Sequence, residues 1–324
     1  MNVYENFDLL ITQHGGGYSA HVIASPVGQE RHDFTLDFTE QELRTFFWLS
    51  GRALRLVRLV ATSATSSALT PTTFGERLYD AVVAGPVRTQ LRRSLDAVAA
   101  QDKGLRIRLW LSHVPELAEL PWEYLYATDL GRALANATET PVVRYLDLAE
   151  PEAIMTMRPP LRILGIVSDP SDAPHLNVEQ EWRQLHDALA DLASRGLVTL
   201  ERLSEPTVAA LQRRLRRDPI HVVHFIGHGD FVEERGGALL FEDESGASRP
   251  ISAEELAMLL QSHRSLRLAF LNACQGAQSA HTNPFAGVAQ KLVQQGLPSV
   301  LAMQFPVSDR SAITLAREFY RALA

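Results

Sequence analysis

From residue 161 onward, short apolar runs alternate regularly with stretches in which apolar residues recur every three to four positions. The short runs cover residues 161–167, 198–203, 220–226, 266–271 and 299–303. They are rich in β-branched or aromatic residues and bounded by Gly and small polar residues, so they read as buried strands. Between them lie helical patterns. Residues 178–194 carry apolar Trp182, Leu185, Leu189 and Leu192, with Gly196 as the stop. Further helices are expected over 207–216, from the Ser252–Glu255 capping box to Leu260, over 284–295, and from Asp309 or Arg310 onward. Residues 237–246 read as a hairpin arm. This alternation predicts right-handed parallel crossovers and a sheet covered on both faces.

The first half is less regular. Residues 8–12 and 18–24 flank Gly15-Gly16-Gly17 and read as a hairpin. A helical stretch is expected over 40–60, then a Ser/Thr/Ala-rich loop over 62–73. Residues 73–100 are helical by periodicity, with Leu78, Val82, Val83, Leu91 and Leu95 on the apolar face. Leu105-Arg106-Ile107-Arg108-Leu109 alternates apolar and basic residues, as a half-buried strand does, and the aromatic residues Trp122, Tyr124 and Tyr126 are assigned to the core. The Pro159-Pro160 pair marks the expected boundary between an N-terminal α+β region, 1–157, and a second domain, 158–324. The sequence stops inside its last helical pattern, so it is expected to continue in a longer polypeptide.

Composition narrows the function classes. The net charge of −7 argues against a nucleic-acid surface. Arg213, Arg214, Arg216 and Arg217 cluster at a helix end, where positive charge suits the dipole. A single cysteine rules out an intrachain disulfide framework and suits a reducing cytoplasm, the expected location. No window approaches the apolar length of a membrane span, and no secretory leader pattern opens the chain. No cofactor is expected.

Two strand ends carry the chemistry. Residues 220–226 lead into Gly227-His228-Gly229, and residues 266–271 into Asn272-Ala273-Cys274-Gln275-Gly276. If the two strands are parallel neighbours, His228 and Cys274 emerge together at the carboxyl edge of the sheet, where open α/β folds place ligands. A thiol beside an imidazole is the minimum equipment for nucleophilic catalysis. Gly227 and Gly229 are expected to let the backbone turn sharply. The amides of Gly229 and Cys274 are expected to form an oxyanion hole. Each part alone has a plainer reading, since free cysteine is a common core residue and Gly-His-Gly a common turn. His221 and His224 read as packing or supporting residues. Strand alternation turns those two to opposite faces, which argues against a zinc site shared with His228 and Cys274. The joint pattern is the specific one. His228 precedes Cys274 by 46 residues, and Asn-Ala-Cys-Gln-Gly departs only at its first position from the caspase signature, whose His lies roughly 50 residues upstream.

The chain resembles the CHAT domain family of bacterial caspase-like cysteine peptidases, relatives of caspases and separase. The resemblance rests on His224–Gly229, Leu271–Cys274, Ala302–Asp309, Phe319–Leu323, Leu120–Glu123 and Val142–Leu146. Asn272 stands where the family usually has Ser, and Phe305 where it usually has Trp. The resemblance implies a caspase-like α/β/α sandwich with a mostly parallel central sheet, preceded by a region that is a degenerate, pseudo-caspase-like half in longer members. It implies a His228/Cys274 endopeptidase that cleaves partner proteins in bacterial defence, including antiphage, or signalling systems, switched on by a sensor module. A catalytically idle interaction module is the alternative. Candidate pocket residues are Asp230, Gln275, Phe305 and Asp309, with Glu233 and Glu234 as further acids. Residues 278–283 are expected to form a substrate loop that a partner orders.

Overall fold

The fold comes from a computed structural model that describes residues 3–39, 41–43, 45–46, 69–118, 120–145, 158–232, 236–273, 284–303 and 309–323. The chain divides into two compact units, Met1–Ala149 and Glu150–Ala324.

In the first unit, β1 (Tyr4–His14) and β2 (Gly17–Ala24) form the antiparallel hairpin around the glycines, and β3 (Glu30–Phe34) extends it. Helices α1 (Pro71–Val82) and α2 (Gly85–Ala99) replace the single helix expected over 73–100. The break has a local cause. Gly85 sits at φ +50°, outside any right-handed helix, and Pro86 removes a donor that a continuous helix would use. Thr70 caps α1 by accepting from the Thr73 amide, so the end of the expected 62–73 loop is already a helix start. Residues 62–68 and most of 40–60 lie outside the described residues.

Strand β4 (Gly104–Trp110) shows the expected alternation and pairs parallel to β1 on one side and to β7 (Val142–Tyr145) on the other. The short strands β5 (Tyr126–Ala127) and β6 (Arg132–Ala133) pair with each other. The main sheet runs β3-β2-β1-β4-β7. Asp8 and Arg108 are register partners across β1 and β4, and the pair of the buried carboxylate with the half-buried guanidinium ties the two strands. Trp122 is fully buried and donates its indole N–H to the Leu117 carbonyl.

The second unit contains β8 (Leu161–Val167), α3 (Val178–Ser194), β9 (Val198–Arg202), α4 (Val208–Arg217), β10 (Val222–Gly227), β11 (Gly229–Val232), β12 (Gly236–Glu242), β13 (Ser248–Ser252), α5 (Ala253–Leu260), β14 (Leu268–Ala273), α6 (Pro284–Gln294), β15 (Ser299–Ala302) and α7 (Asp309–Leu323). Its main sheet is parallel throughout, in the order β15-β14-β10-β8-β9. The chain steps from β8 outward to β9, then crosses back to β10 on the other side of β8. The order therefore reverses between β8 and β10, and an open α/β sheet offers its crevice at the carboxyl ends beside such a reversal.

Both faces of the sheet are covered. Val222, Ile226 and Phe270 pack with Leu185 and Leu189 of α3 and Tyr320 of α7. Phe225, Ala269 and Leu271 pack on the other side with Leu211 of α4, Leu256 of α5 and Val288 of α6. Burial of each large apolar side chain of this kind contributes about 1.5–3 kcal/mol. Gly165 of β8 is required by close approach, because a Cβ there would fall 2.2 Å from the Trp182 ring of α3. A separate antiparallel sheet, β11-β12-β13, follows β10 after one residue. The expected hairpin arm is its β12–β13 part; β11 is too short to give a periodic signal. The whole is a mixed α/β fold with a parallel sheet. No helix among the described residues is long and apolar enough to cross a membrane.

Candidate active site

Strands β10 and β14 are parallel neighbours, paired from Val222↔Leu268 to Gly227↔Ala273. His224, Ile226 and His228 alternate along one chain, as Phe270 and Asn272 do along the other. Their shared face is the one covered by α3 and α7. His228 follows the last pair directly and is only 3% exposed. Cys274 is covalently the next residue after Ala273 and lies outside the described residues, as do Gln275, Phe305, Glu233, Glu234 and residues 278–283.

The ring of His228 is held from another segment. Its Nε2 lies 2.6 Å from the carbonyl oxygen of Pro174, in the β8–α3 connection. A carbonyl only accepts, so Nε2 carries the proton. In the neutral ring Nδ1 then holds the lone pair, and that is the nitrogen able to take a proton from a neighbour. The group that orients this histidine is a backbone carbonyl. His228 also accepts, through its own carbonyl, from the Leu240 amide at 3.0 Å. That bond makes Gly229 and Leu239 a non-hydrogen-bonded pair of the β11–β12 ladder, so β12 does not use the Gly229 N–H.

The glycine before His228 has a different role from the expected sharp turn. Gly227 ends β10 without a left-handed φ, and a Cβ on it would come within 2.9 Å of both the Ser168 carbonyl and the Phe225 ring. Close packing, not a bend, excludes a side chain there.

Beneath His228 the same face carries a buried polar contact. Asn272 of β14, 2% exposed, donates its amide Nδ2 to the carboxylate of Glu181 of α3, itself 3% exposed. The Asn272 Oδ1 has no hydrogen-bond partner. Glu181 escaped the sequence reading although a signal exists: it stands four residues before Leu185, on the apolar stripe of its helix. Pro174 has no such signal, since every residue has a carbonyl.

His224 is a packing residue. Its ring stacks on Phe270 at 4.6 Å between centroids, and its Nδ1 lies 2.8 Å from the Tyr320 hydroxyl. Burial pushes the His224 imidazole down to about 3 and the Tyr320 phenol well up. A neutral ring accepts at Nδ1, so the Tyr320 O–H donates. His221 lies at the opposite end of β10 and accepts the Arg162 amide at its Nδ1, 3.0 Å away. Asp230 is exposed on β11, in register with Ala238. Asp309 opens α7, the helix that follows β15. The basic cluster of α4 is engaged on its own surface, where Arg214 makes a two-pronged contact with Glu201 and Arg213 pairs with Glu205.

A family model described as the CHAT domain matches residues 72–324. No curated protein matches the chain.

Proposed function

Because the chain belongs to the CHAT domain family, we propose that it is a cysteine endopeptidase whose reaction is carried by His228 and Cys274. The family is related to caspase-like cysteine peptidases. The observation that carries the proposal is the β10–β14 pairing: its last partners are Gly227 and Ala273, the residues immediately before His228 and Cys274. The proposed architecture is a caspase-like α/β/α sandwich, with the N-terminal unit as a pseudo-caspase-like half.

The imidazole in this scheme keeps its Nε2 proton on the Pro174 carbonyl and works through Nδ1. Nδ1 takes the thiol proton, and the resulting thiolate attacks a peptide carbonyl carbon. The carbonyl π electrons move onto oxygen, and the amides of Gly229 and Cys274 stabilise that charge. As the C–N bond breaks, the imidazolium returns its proton to the leaving amine, leaving a thioester. Water, deprotonated by the same nitrogen, attacks the thioester, and the thiol leaves with the new carboxylate formed. Asp230, Gln275, Phe305 and Asp309 are the proposed contributors to substrate choice.

The substrates are proposed to be partner proteins. The setting is proposed to be the cytoplasm of a bacterium, in an antiphage defence or signalling system where a sensor module switches the peptidase on. The test is a pair of measurements. A thiol-reactive peptide electrophile should label Cys274 in the chain or its activated complex. A proteome-wide search for new N-termini should find cleavage products in wild type that are missing with Cys274→Ala. Partner-dependent cleavage that survives Cys274→Ala would rule the peptidase out.

A further inference from the structure

The orientation of His228 is decided in the β8–α3 connection, and one carboxylate organises that connection. Oδ1 of Asp169 accepts the backbone N–H of Leu176 at 3.0 Å, and its Oδ2 lies 2.6 Å from Nδ1 of His175. Residues 175 and 176 are the two that follow Pro174, so the carboxylate grips the chain directly behind the carbonyl that holds His228.

Asp169 itself hangs from fixed backbone. Ser168 donates its amide to the Ile226 carbonyl at 2.9 Å, extending the β8–β10 ladder by one bond. The Ser168 hydroxyl donates to the Leu240 carbonyl at 2.7 Å, and the Asp169 amide donates to Glu242 at 3.0 Å. The Asp169 side chain is 19% exposed, against 87% for His175. Its bond to the Leu176 amide is therefore the sheltered part of the device, and the His175 contact the solvent-facing part. Farther out, Ser171 and Asp172 tie the same connection to Gly246 and Ser248, but neither bonds to the two residues behind Pro174.

We infer that Asp169 is a positioning residue for His228: by gripping Leu176 and His175 it keeps the Pro174 carbonyl on Nε2 and leaves Nδ1 as the basic nitrogen. The inference rests on the reading of His228 as the general base. It describes a relay in which the carboxylate acts on the imidazole through one peptide group. Free of the grip, the carbonyl swings away and the imidazole divides between its two tautomers.

The experiment uses the full chain with 15N-labelled histidine, the His228 ring signals being assigned by their loss in His228→Gln. At one fixed neutral pH the wild type should show the Nε2-protonated tautomer. Asp169→Ala should move the ring shifts toward a tautomer mixture and slow alkylation of Cys274 roughly ten- to a hundredfold. Asp169→Asn, whose Oδ1 still accepts from Leu176, should recover most of both. Should Asp169→Ala not fold, Asp169→Glu displaces the carboxylate by one methylene and gives the same reading. Wild-type ring shifts in a folded Asp169→Ala or Asp169→Glu chain would overturn the inference. A changed tautomer ratio with no thiol reactivity in any form would support it, and would overturn the peptidase reading instead.

Discussion

Gly227 and Ala273 are the last partners of the parallel ladder between β10 and β14, and the residues that follow them are His228 and Cys274. The pairing joins two strands 46 positions apart in the chain, and the alternation it sets continues the α3–α7 face into His228. It is the geometric premise of the proposed dyad.

If that premise holds, His228→Ala removes the group that takes the thiol proton. The rate of Cys274 labelling by a peptide electrophile should fall by about 10²- to 10⁴-fold at neutral pH. Labelling at the wild-type rate in His228→Ala would mean that the thiol is activated without this imidazole.

Gly165 of β8 and Trp182 of α3 form a tight contact between sheet and helix. With a Cβ at 2.2 Å from the ring, Gly165→Ala forces helix α3 away from β8 and should destabilise the second unit by about 1–3 kcal/mol. Urea denaturation reads the loss as a lower midpoint. Adding Trp182→Leu should restore part of it, since the smaller side chain vacates the space. An unchanged midpoint in Gly165→Ala would show that the helix does not sit against β8 here.

The Asn272–Glu181 contact is buried on both sides. Glu181→Ala strands the Asn272 amide without its acceptor and should cost about 1–3 kcal/mol. Asn272→Ala in the same chain removes the stranded group, so the double variant should be less destabilised than the two single losses added together. Simple additivity of the two would show that the groups do not interact.

His224 predicts an acid-sensitive core. The unfolded imidazole binds a proton below its ordinary value of 6.5, whereas burial keeps the folded one neutral down to about 3. Between those values the unfolded state holds the extra proton, so stability falls as pH falls. From pH 7 to pH 5 this group alone removes about 2 kcal/mol. His224→Phe should flatten the measured dependence by that amount, whatever it does to absolute stability. A wild-type pH slope in the variant would place the titration elsewhere.

The elements were legible wherever the signal was local. Trp182, Leu185, Leu189 and Leu192 announced α3, and Ser252 with Glu255 announced the capping box that the structure contains. The Gly85-Pro86 break was present in the sequence too, but the apolar periodicity on either side ran across it. Glu181 was legible as an acid on an apolar stripe and went unread. The parallel pairing of β1 with β4 was not legible, because their partnership spans residues whose pattern says nothing about which strand lies beside which.

What the sequence determined by itself was the main-sheet strands and the helices of the second unit, the two loaded strand ends, and the family. Side-chain period and turn chemistry are written in neighbouring residues, so they need no fold to be read. Only the tertiary structure decided that β10 lies between β8 and β14, that Gly227 is glycine for want of space, and that the Pro174 carbonyl holds His228. Periodicity reports that a face is buried and never against what. A backbone carbonyl, common to all residues, gains its role only when folding brings a donor to it.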